Sequence, residues 1–221
     1  MSTFLLKLIA LSTMIIDHFG AIFHEDVMIY RMIGRLAFPI YCFLLVEGFY
    51  HTSNVKRYAI RLLIFGFISE LFFDYAFYGK IYLWHQNIFF TLFIGLMAMY
   101  FIENKDGKYN IKKNLVMAIS ILIATLTFVD YTYIGIIYIL AFYFFRDYPK
   151  KQKFLRIGLI MLIINLVSTS LIQQFSLLAL PILYFYNGEL GIKNKALQLL
   201  FYIAYPLHLL IFYLIRYISI F

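Results

Sequence analysis

The sequence predicts an all-α protein, a polytopic transmembrane helical bundle that forms a single domain over residues 1–221. The first observation is composition: 64% of the residues are hydrophobic and the mean hydropathy is +0.85, whereas about half of a soluble protein is apolar. The second is the recurrence of continuous apolar runs that approach the length of about 20 residues with which a helix crosses a hydrocarbon core. Because these runs do not alternate between apolar and polar residues, they predict helices and not the strands of a membrane barrel.

The apolar runs divide the chain into about nine hydrophobic segments, separated by short polar breaks. In order, the segments are 4–23, 28–50, 58–77, 86–102, 114–129, 132–145, 154–171, 175–186 and 197–219. The first segment is expected to stay in the mature protein, because no small-x-small cleavage site follows it and it carries charges. The eighth is short for a crossing and contains Pro181, which favours a broken or re-entrant helix; eight full crossings plus a half-helix is the alternative.

The distribution of lysine and arginine predicts that the N-terminus is cytoplasmic. In that orientation only Arg31, Arg35, Lys80 and Arg216 of the 19 basic residues lie on the outer side, as the positive-inside rule requires. We attribute the net charge of +8 to this bias and to contacts with membrane lipids, not to nucleic-acid binding. The single cysteine, Cys42, lies within a segment, so we expect neither a disulfide framework nor a metal site. The sequence therefore predicts a multi-pass protein of the cell membrane.

Charged and polar residues inside the segments indicate where function lies, because an ionisable group in a bilayer costs at least a few kcal/mol and is kept only where it has a partner or a role. With the N-terminus inside, these residues fall in the outer half of the bilayer. They are Asp17 and His18 in the first segment, Arg31 and Arg35 in the second, Glu70 and Asp74 in the third, Gln86 and Asn87 at the start of the fourth, and His208 in the ninth. A separate basic set, Lys7 with Arg57 and Arg61, lies toward the cytoplasmic ends of the first and third segments.

His18 is the candidate catalytic base, since a neutral imidazole accepts a proton near physiological pH. Asp17 is its candidate supporting carboxylate; neighbours on a helix point about 100° apart, however, so Asp17 is also expected to reach an arginine of the second segment. The structural alternative for His18 is a hydrogen bond that packs two helices. His208 follows Pro206, which loosens the helical ladder, and is interpreted either as part of a hinge or as a substrate contact.

The spacing of the other charges suggests a structural alternative for them. Arg31 and Arg35, like Glu70 and Asp74, are spaced so that each pair lies along one helix face. Two cations on the second segment and two carboxylates on the third would neutralise one another in a low dielectric, so an ion-pair network between these segments is one interpretation. A charged group left over from that pairing would be free to hold a substrate.

Several stretches that contain these residues resemble the TraX family of membrane proteins, whose namesake is the pilin N-acetylase of conjugative plasmids. The stretches are Lys7 to Gly20 (KLIALSTMIIDHFG), Arg31 to Gly48 (RMIGRLAFPIYCFLLVEG), Tyr58 to Asp74 (YAIRLLIFGFISELFFD), Gln86 to Gly95 (QNIFFTLFIG) and Tyr205 to Leu209 (YPLHL). Residues 100–200 match in hydropathy only. Lys7 and His18, with ten residues between them, also resemble the basic-x10-His signature of transmembrane acyltransferases, which take acyl groups from cytosolic acyl-CoA.

The resemblance implies an acetyltransferase with acetyl-CoA as acyl donor and a peptide, glycan or lipid amine or hydroxyl as acceptor. Carried over by position, His18 would be the catalytic base, with Lys7 toward the CoA phosphates and Arg57 and Arg61 beside it. The candidate substrate-binding residues are Arg35, Glu70, Asp74, Gln86, Asn87 and His208, of which Arg35, Gln86 and Asn87 are candidate oxyanion donors.

Two functions of other classes use the same residues differently. A proton-coupled transporter or lipid flippase would use the intramembrane charges as a relay, but the sequence lacks the internal repeat that is common in such proteins. A structural or assembly factor would keep the charges only as ion pairs. In that case changing His18 to Ala would be silent, whereas changing Glu70 or Arg35 would destabilise the fold.

Overall fold

The computed structural model describes residues 1–104, 111–168, 170–192 and 194–218. These residues form α-helices and a 3₁₀ helix, with no β-strand among them, which confirms the predicted all-α helical bundle. The α-helices are α1 (Thr3–Phe23), α2 (Met28–Gly34), α3 (Ala37–His51), α4 (Val55–Tyr78), α5 (Ile88–Glu103), α6 (Lys113–Leu126), α7 (Thr132–Phe144), α8 (Lys150–Val167), α9 (Ala179–Tyr184) and α10 (Lys195–Ile218), and the 3₁₀ helix is Leu171–Leu178. Lys105, Lys108 and Lys193, which contribute to the predicted charge bias, lie outside the described residues.

Three stretches of the described chain are long and apolar enough to cross a membrane. They are Thr3–Phe23, Met28–His51 and Ala196–Tyr217, and shorter apolar helices lie at Ile88–Glu103, Lys113–Leu126, Thr132–Phe144 and Leu171–Tyr184. This pattern fits a helical membrane protein. The number of crossings and the cytoplasmic N-terminus remain predictions.

The second predicted segment is not one continuous helix. It is divided between α2 and α3 at Arg35 and Leu36. The break has a local cause: Pro39 has no N–H to donate to the carbonyl of residue 35, so the helical ladder cannot run through this point, whereas proline is tolerated in the first turn of the new helix. Arg35 lies at this break, directly after α2.

The predicted eighth segment is a broken helix, as its length and proline suggested. The 3₁₀ helix Leu171–Leu178 is followed directly by α9. At about 2.0 Å per residue in a 3₁₀ helix and 1.5 Å in an α-helix, the two together span roughly 25 Å. This is short of a hydrocarbon core of about 30 Å.

The core lies between α1, α3, α5 and α7, which contact one another in sequence-distant pairs. Ile40 of α3, Leu96 of α5 and Ile139 of α7 are fully buried. Gly95 lets α5 and α7 approach closely, because a Cβ at this position would overlap the side chain of Ile139. α4 and α10 pack against each other and against the outside of this core.

Candidate functional site

A polar cavity of about 90 Å³ lies near one end of the bundle. It is lined by residues of α1 to α5 and α10, and by the loops 79–87 and 127–131, which follow α4 and α6. Its charged and titratable lining residues are Asp17, His18, Arg31, Arg35, His85 and Asp130. Aromatic rings, among them Phe73, Phe77 and Tyr205, complete the wall.

His18 is held in one tautomer by a chain of two hydrogen bonds. Its Nδ1 lies 2.7 Å from Nε2 of His208, and Nδ1 of His208 lies 2.8 Å from the carbonyl oxygen of Ala204. Because a carbonyl oxygen only accepts, Nδ1 of His208 carries the proton, and its Nε2 is an acceptor in the neutral ring. Nδ1 of His18 must therefore donate. This leaves a lone pair on Nε2 of His18, in a ring that lines the polar cavity.

Aromatic rings fix the orientation of that imidazole. The ring of His18 meets the edge or face of Phe77 and Tyr205 at centroid distances of 5.2 and 5.9 Å. His18 is only 8% exposed and His208 only 6%. A buried ring with a fixed tautomer is suited to receive a proton from a group that enters the cavity.

Asp17 is paired with Arg31 of α2 and with Arg35 directly after it, and not with His18. Its Oδ2 accepts a hydrogen bond from Arg31 Nη1 at 2.7 Å, and its Oδ1 accepts one from Arg35 Nη2 at 2.8 Å. Gly34 makes this possible, because a Cβ there would overlap the carboxylate of Asp17. Asp17 therefore fixes the two guanidinium groups at the wall of the cavity.

The ion-pair network expected between the second and third segments is wrong, because both arginines are paired with Asp17. Glu70 instead accepts hydrogen bonds from the backbone and side-chain amides of Asn87, at 3.0 and 2.5 Å. Asp74 accepts one from the backbone N–H of Tyr82 at 2.9 Å. Neither carboxylate lines the polar cavity. These two residues stabilise the start of α5 and the loop after α4.

Two of the predicted oxyanion donors are also placed differently. Asn87 is fully buried and caps α5, with its Nδ2 donating to Glu70 and to the carbonyl of Gly66. The side chain of Gln86 donates to the carbonyl of Leu83 at 2.7 Å. Neither side chain lines the cavity. Of the three predicted donors, Arg35 is the one that does.

His85 and Asp130 were not among the predicted site residues, yet both line the cavity and contact each other. Nε2 of His85 donates to Oδ1 of Asp130 at 3.4 Å, and the hydroxyl of Tyr78 lies 2.6 Å from Nδ1. Burial lowers the pKa of His85, but the hydrogen bond and charge of Asp130 and the carboxylates of Glu70 and Asp74 together raise it above its ordinary value. The feature of the sequence that could have indicated this contact is Asp130 itself, an aspartate between two strongly apolar segments.

Asp130 sits in a strained turn. Phe128, Tyr131 and Thr132 have φ values of 53°, 62° and 42°, and non-glycine residues in this region cost on the order of 1–3 kcal/mol each. The backbone of Gln86 holds the turn, since it donates to the carbonyl of Phe128 at 2.9 Å and accepts from Asp130 at 2.8 Å. Strain that is maintained in this way is typical of functional sites.

The predicted basic set lies at the other end of α1. Lys7 lies 5.6 Å from the ring centroid of Phe201, and Arg61 lies 5.6 and 5.9 Å from the rings of Tyr58 and Tyr202. Lys7 lines a second cavity of about 340 Å³, between the start of α1 and the start of α10. Arg57 is exposed at the first turn of α4 and does not line it.

The charge balance of this end suits an anionic ligand. Among the described residues, no carboxylate forms an ion pair with Lys7, Arg57 or Arg61. Lysine and arginine without such partners are the usual ligands of phosphate groups.

Comparisons with known proteins show which proteins the whole chain resembles. Residues 2–216 match the family model described as TraX protein. The chain is 29% identical over 231 residues to a probable fimbrial assembly protein, FimC of serogroup H1, from Dichelobacter nodosus, with 94% of this chain and 93% of the relative covered. It is 30% identical over 141 residues to an uncharacterized protein of Rickettsia prowazekii (strain Madrid E), with 62% of this chain and 54% of the relative covered. No solved structure matches the chain.

Proposed function

The chain belongs to the TraX family, and on that premise we propose that it is an acyltransferase of the cell membrane. It would move an acetyl group from cytosolic acetyl-CoA to an amine or hydroxyl acceptor at the outer half of the bilayer. The single observation that carries the proposal is His18, a buried imidazole that lines a polar cavity and whose hydrogen bond to His208 leaves the lone pair on Nε2. The name of the Dichelobacter relative, which refers to fimbrial assembly, favours a peptide among the possible acceptors.

The roles of the residues follow from their positions. Acetyl-CoA would supply the acetyl group as a thioester. Nε2 of His18 accepts the proton of the acceptor amine or hydroxyl while the acceptor atom attacks the carbonyl carbon, and returns that proton to the departing sulfur. Arg35 lies at the cavity wall, where a guanidinium stabilises the negative charge that develops on the carbonyl oxygen.

The basic end of the bundle is suited to the phosphates of the donor. Lys7 would hold them, with Arg61 nearby; Arg57, which does not line the cavity, would contribute its charge only. Between Lys7 and His18, α1 rises by about 11 × 1.5 Å, or roughly 16 Å. An extended pantetheine arm is of that order, so the phosphates would remain near the cytosol while the thioester approaches His18.

The donor assignment is tested by changing Lys7 to Met in protein reconstituted in lipid nanodiscs. We expect KM for acetyl-CoA to rise by about 10- to 100-fold, since a hydrogen bond to a charged group contributes about 1.5–3 kcal/mol. KM for acetyl-pantetheine, which lacks the nucleotide and its phosphates, should not change. Lys56→Met, at an exposed position of α4, is the matched control. Equal effects on both donors would contradict this role, and substrate flux in proteoliposomes without any acyl donor would favour a transporter instead.

A further inference from the structure

The broken segment formed by the 3₁₀ helix and α9 has no role in the steps given above. It is short for a crossing, yet it brings polar side chains into the interior of the bundle. Gln173 and Ser176 of the 3₁₀ helix are 4% and 0% exposed. Buried amides and hydroxyls of this kind are costly unless they are hydrogen-bonded. The hydrogen-bond partners of Gln173 and Ser176 therefore indicate the role of the broken segment.

One side of the 3₁₀ helix is fixed to α7 and α8. The hydroxyl of Tyr138 donates to Oδ1 of Asn165 at 2.5 Å and lies 2.9 Å from Oγ of Ser176. Nδ2 of Asn165 donates to the backbone carbonyl of Gln173 at 3.0 Å. Because Tyr138 and Asn165 are almost fully buried, this network fixes the position of Gln173 rigidly.

The side chain of Gln173 also reaches Arg35, a residue of the cavity wall. Nη1 of Arg35 donates to Oε1 of Gln173 at 3.4 Å. The remaining nitrogens of the same guanidinium are also engaged, since Nε donates to the carbonyl of Arg31 at 3.3 Å and Nη2 to Asp17 at 2.8 Å. Tyr131 lies against the guanidinium, with 5.7 Å between Cζ and the ring centroid. Each nitrogen of Arg35 thus has an acceptor on a different part of the fold.

We propose that Gln173 is a positioning residue for Arg35, and that the broken segment is retained to place it there. The inference rests on the proposed acyltransferase function, in which Arg35 stabilises developing charge. A fork of donors stabilises such charge only if it is already oriented when the reaction begins. Without Gln173, Asp17 and Arg31 still hold two nitrogens, but Nη1 loses its partner and the guanidinium plane can rotate about the remaining bonds.

The test is the rate of acetyl transfer by Gln173→Leu in nanodiscs, with Gln174→Leu as the matched control. Gln174 is adjacent on the same 3₁₀ helix but makes no hydrogen bond to Arg35. We expect Gln173→Leu to lower kcat by about 10- to 100-fold, as for other small misplacements of a catalytic group. The Kd for acetyl-CoA should be unchanged, and Gln174→Leu should stay near the wild-type rate.

Two further variants keep the proposal testable if the leucine variant does not fold. Gln173→Glu retains an acceptor oxygen for Arg35 and should retain most of the rate. Gln173→Asn keeps the amide but withdraws its oxygen by one carbon–carbon bond, about 1.5 Å, and should behave like the leucine variant. Equal losses in the Gln173 and Gln174 variants, a wild-type rate in Gln173→Asn, or a change in donor affinity in place of kcat would overturn the role. If His18→Ala loses activity but Gln173→Leu keeps it, the proposed function is supported and only the role of Gln173 is contradicted. If the wild-type protein has no transferase activity, both are contradicted.

Discussion

Changing His208 to Ala tests whether the tautomer of His18 is set by its neighbour. Nε2 of His208 accepts a hydrogen bond from Nδ1 of His18 at 2.7 Å, because Nδ1 of His208 donates to the carbonyl of Ala204. In the alanine variant that acceptor is gone. The tautomer of His18 with the proton on Nδ1 is then no longer stabilised. In the other tautomer Nε2 carries the proton and cannot act as a base.

The magnitude follows from the burial of the pair. His18 is 8% exposed, so an unpaired Nδ1–H costs about 1–3 kcal/mol. The Nδ1–H tautomer of His18 is therefore destabilised by this free energy relative to the Nε2–H tautomer. Since 1.36 kcal/mol corresponds to a tenfold change in rate, kcat should fall by about 10- to 100-fold, while KM for acetyl-CoA should change little because the donor phosphates would bind at the other end of α1.

The assay is steady-state release of free thiol from acetyl-CoA by protein in nanodiscs. His208→Gln is the informative second variant, because a glutamine Oε1 can accept from His18 Nδ1, and it should recover most of the lost rate. His51→Ala, an exposed histidine whose Nδ1 lies 2.8 Å from the carbonyl of Glu47, is the control and should be silent. If the alanine and glutamine variants lose the same rate, or if neither loses any, the tautomer argument is refuted.

Three further predictions concern stability. Gly34→Ala should lower the free energy of unfolding by about 1–3 kcal/mol, as overpacking does, because the new Cβ would overlap Asp17. The control is Gly158→Ala, which should change stability little, because its Cβ would meet only the flexible end of a leucine side chain. Arg35→Leu should cost about 3 kcal/mol or more by leaving a buried carboxylate with one partner in place of two, and an unchanged unfolding free energy would contradict the pairing. His85→Gln should lower Tm more at pH 5.5 than at pH 9: the pKa of His85 is raised in the folded protein, so its contribution is present below the ordinary value of about 6.5 and lost as pH rises through the folded pKa. In unfolding free energy, the extra loss at pH 5.5 should be no more than about 1 kcal/mol, because the His85–Asp130 pair is partly exposed. A loss of stability that is larger at pH 9 than at pH 5.5 would contradict this prediction.

The helical bundle could be predicted from the sequence because it depends on local properties. Apolar run length, continuous hydrophobicity and proline position are visible without knowing which helices touch. For the same reason the broken segment around Pro181 was predicted and found as a 3₁₀ helix followed by α9. The break near Pro39 was missed because the hydropathy of the second segment continues through it.

The partners of the charged residues could only partly be predicted. The expectation that Asp17 reaches an arginine was confirmed by its bonds to Arg31 and Arg35, since the two segments are adjacent in the chain. The assignment of Glu70 to those arginines was wrong, because helix spacing shows which residues share a face and not which neighbour that face meets. Sequence spacing likewise could not show that His208 contacts His18 across 190 positions.

Residues in connecting loops were the hardest to predict. His85 and Asp130 were not among the candidate site residues, because a charge in a loop of a membrane protein is ordinarily solvated. Their approach depends on the pairing of the Gln86 backbone with the 127–131 loop. The positive φ values of that loop, at residues other than glycine, leave no mark in the sequence.

The central claim is that His18 is the base of an acetyl transfer from acetyl-CoA. The most direct test is thiol release from acetyl-CoA by wild-type protein and by His18→Ala in the same nanodiscs, with a small primary amine supplied as acceptor. We expect acceptor-dependent release by the wild type and a loss of about 100-fold or more in the variant, as when a general base is removed, with unchanged binding of acetyl-CoA. Acceptor-dependent release that is equally fast in His18→Ala would contradict it.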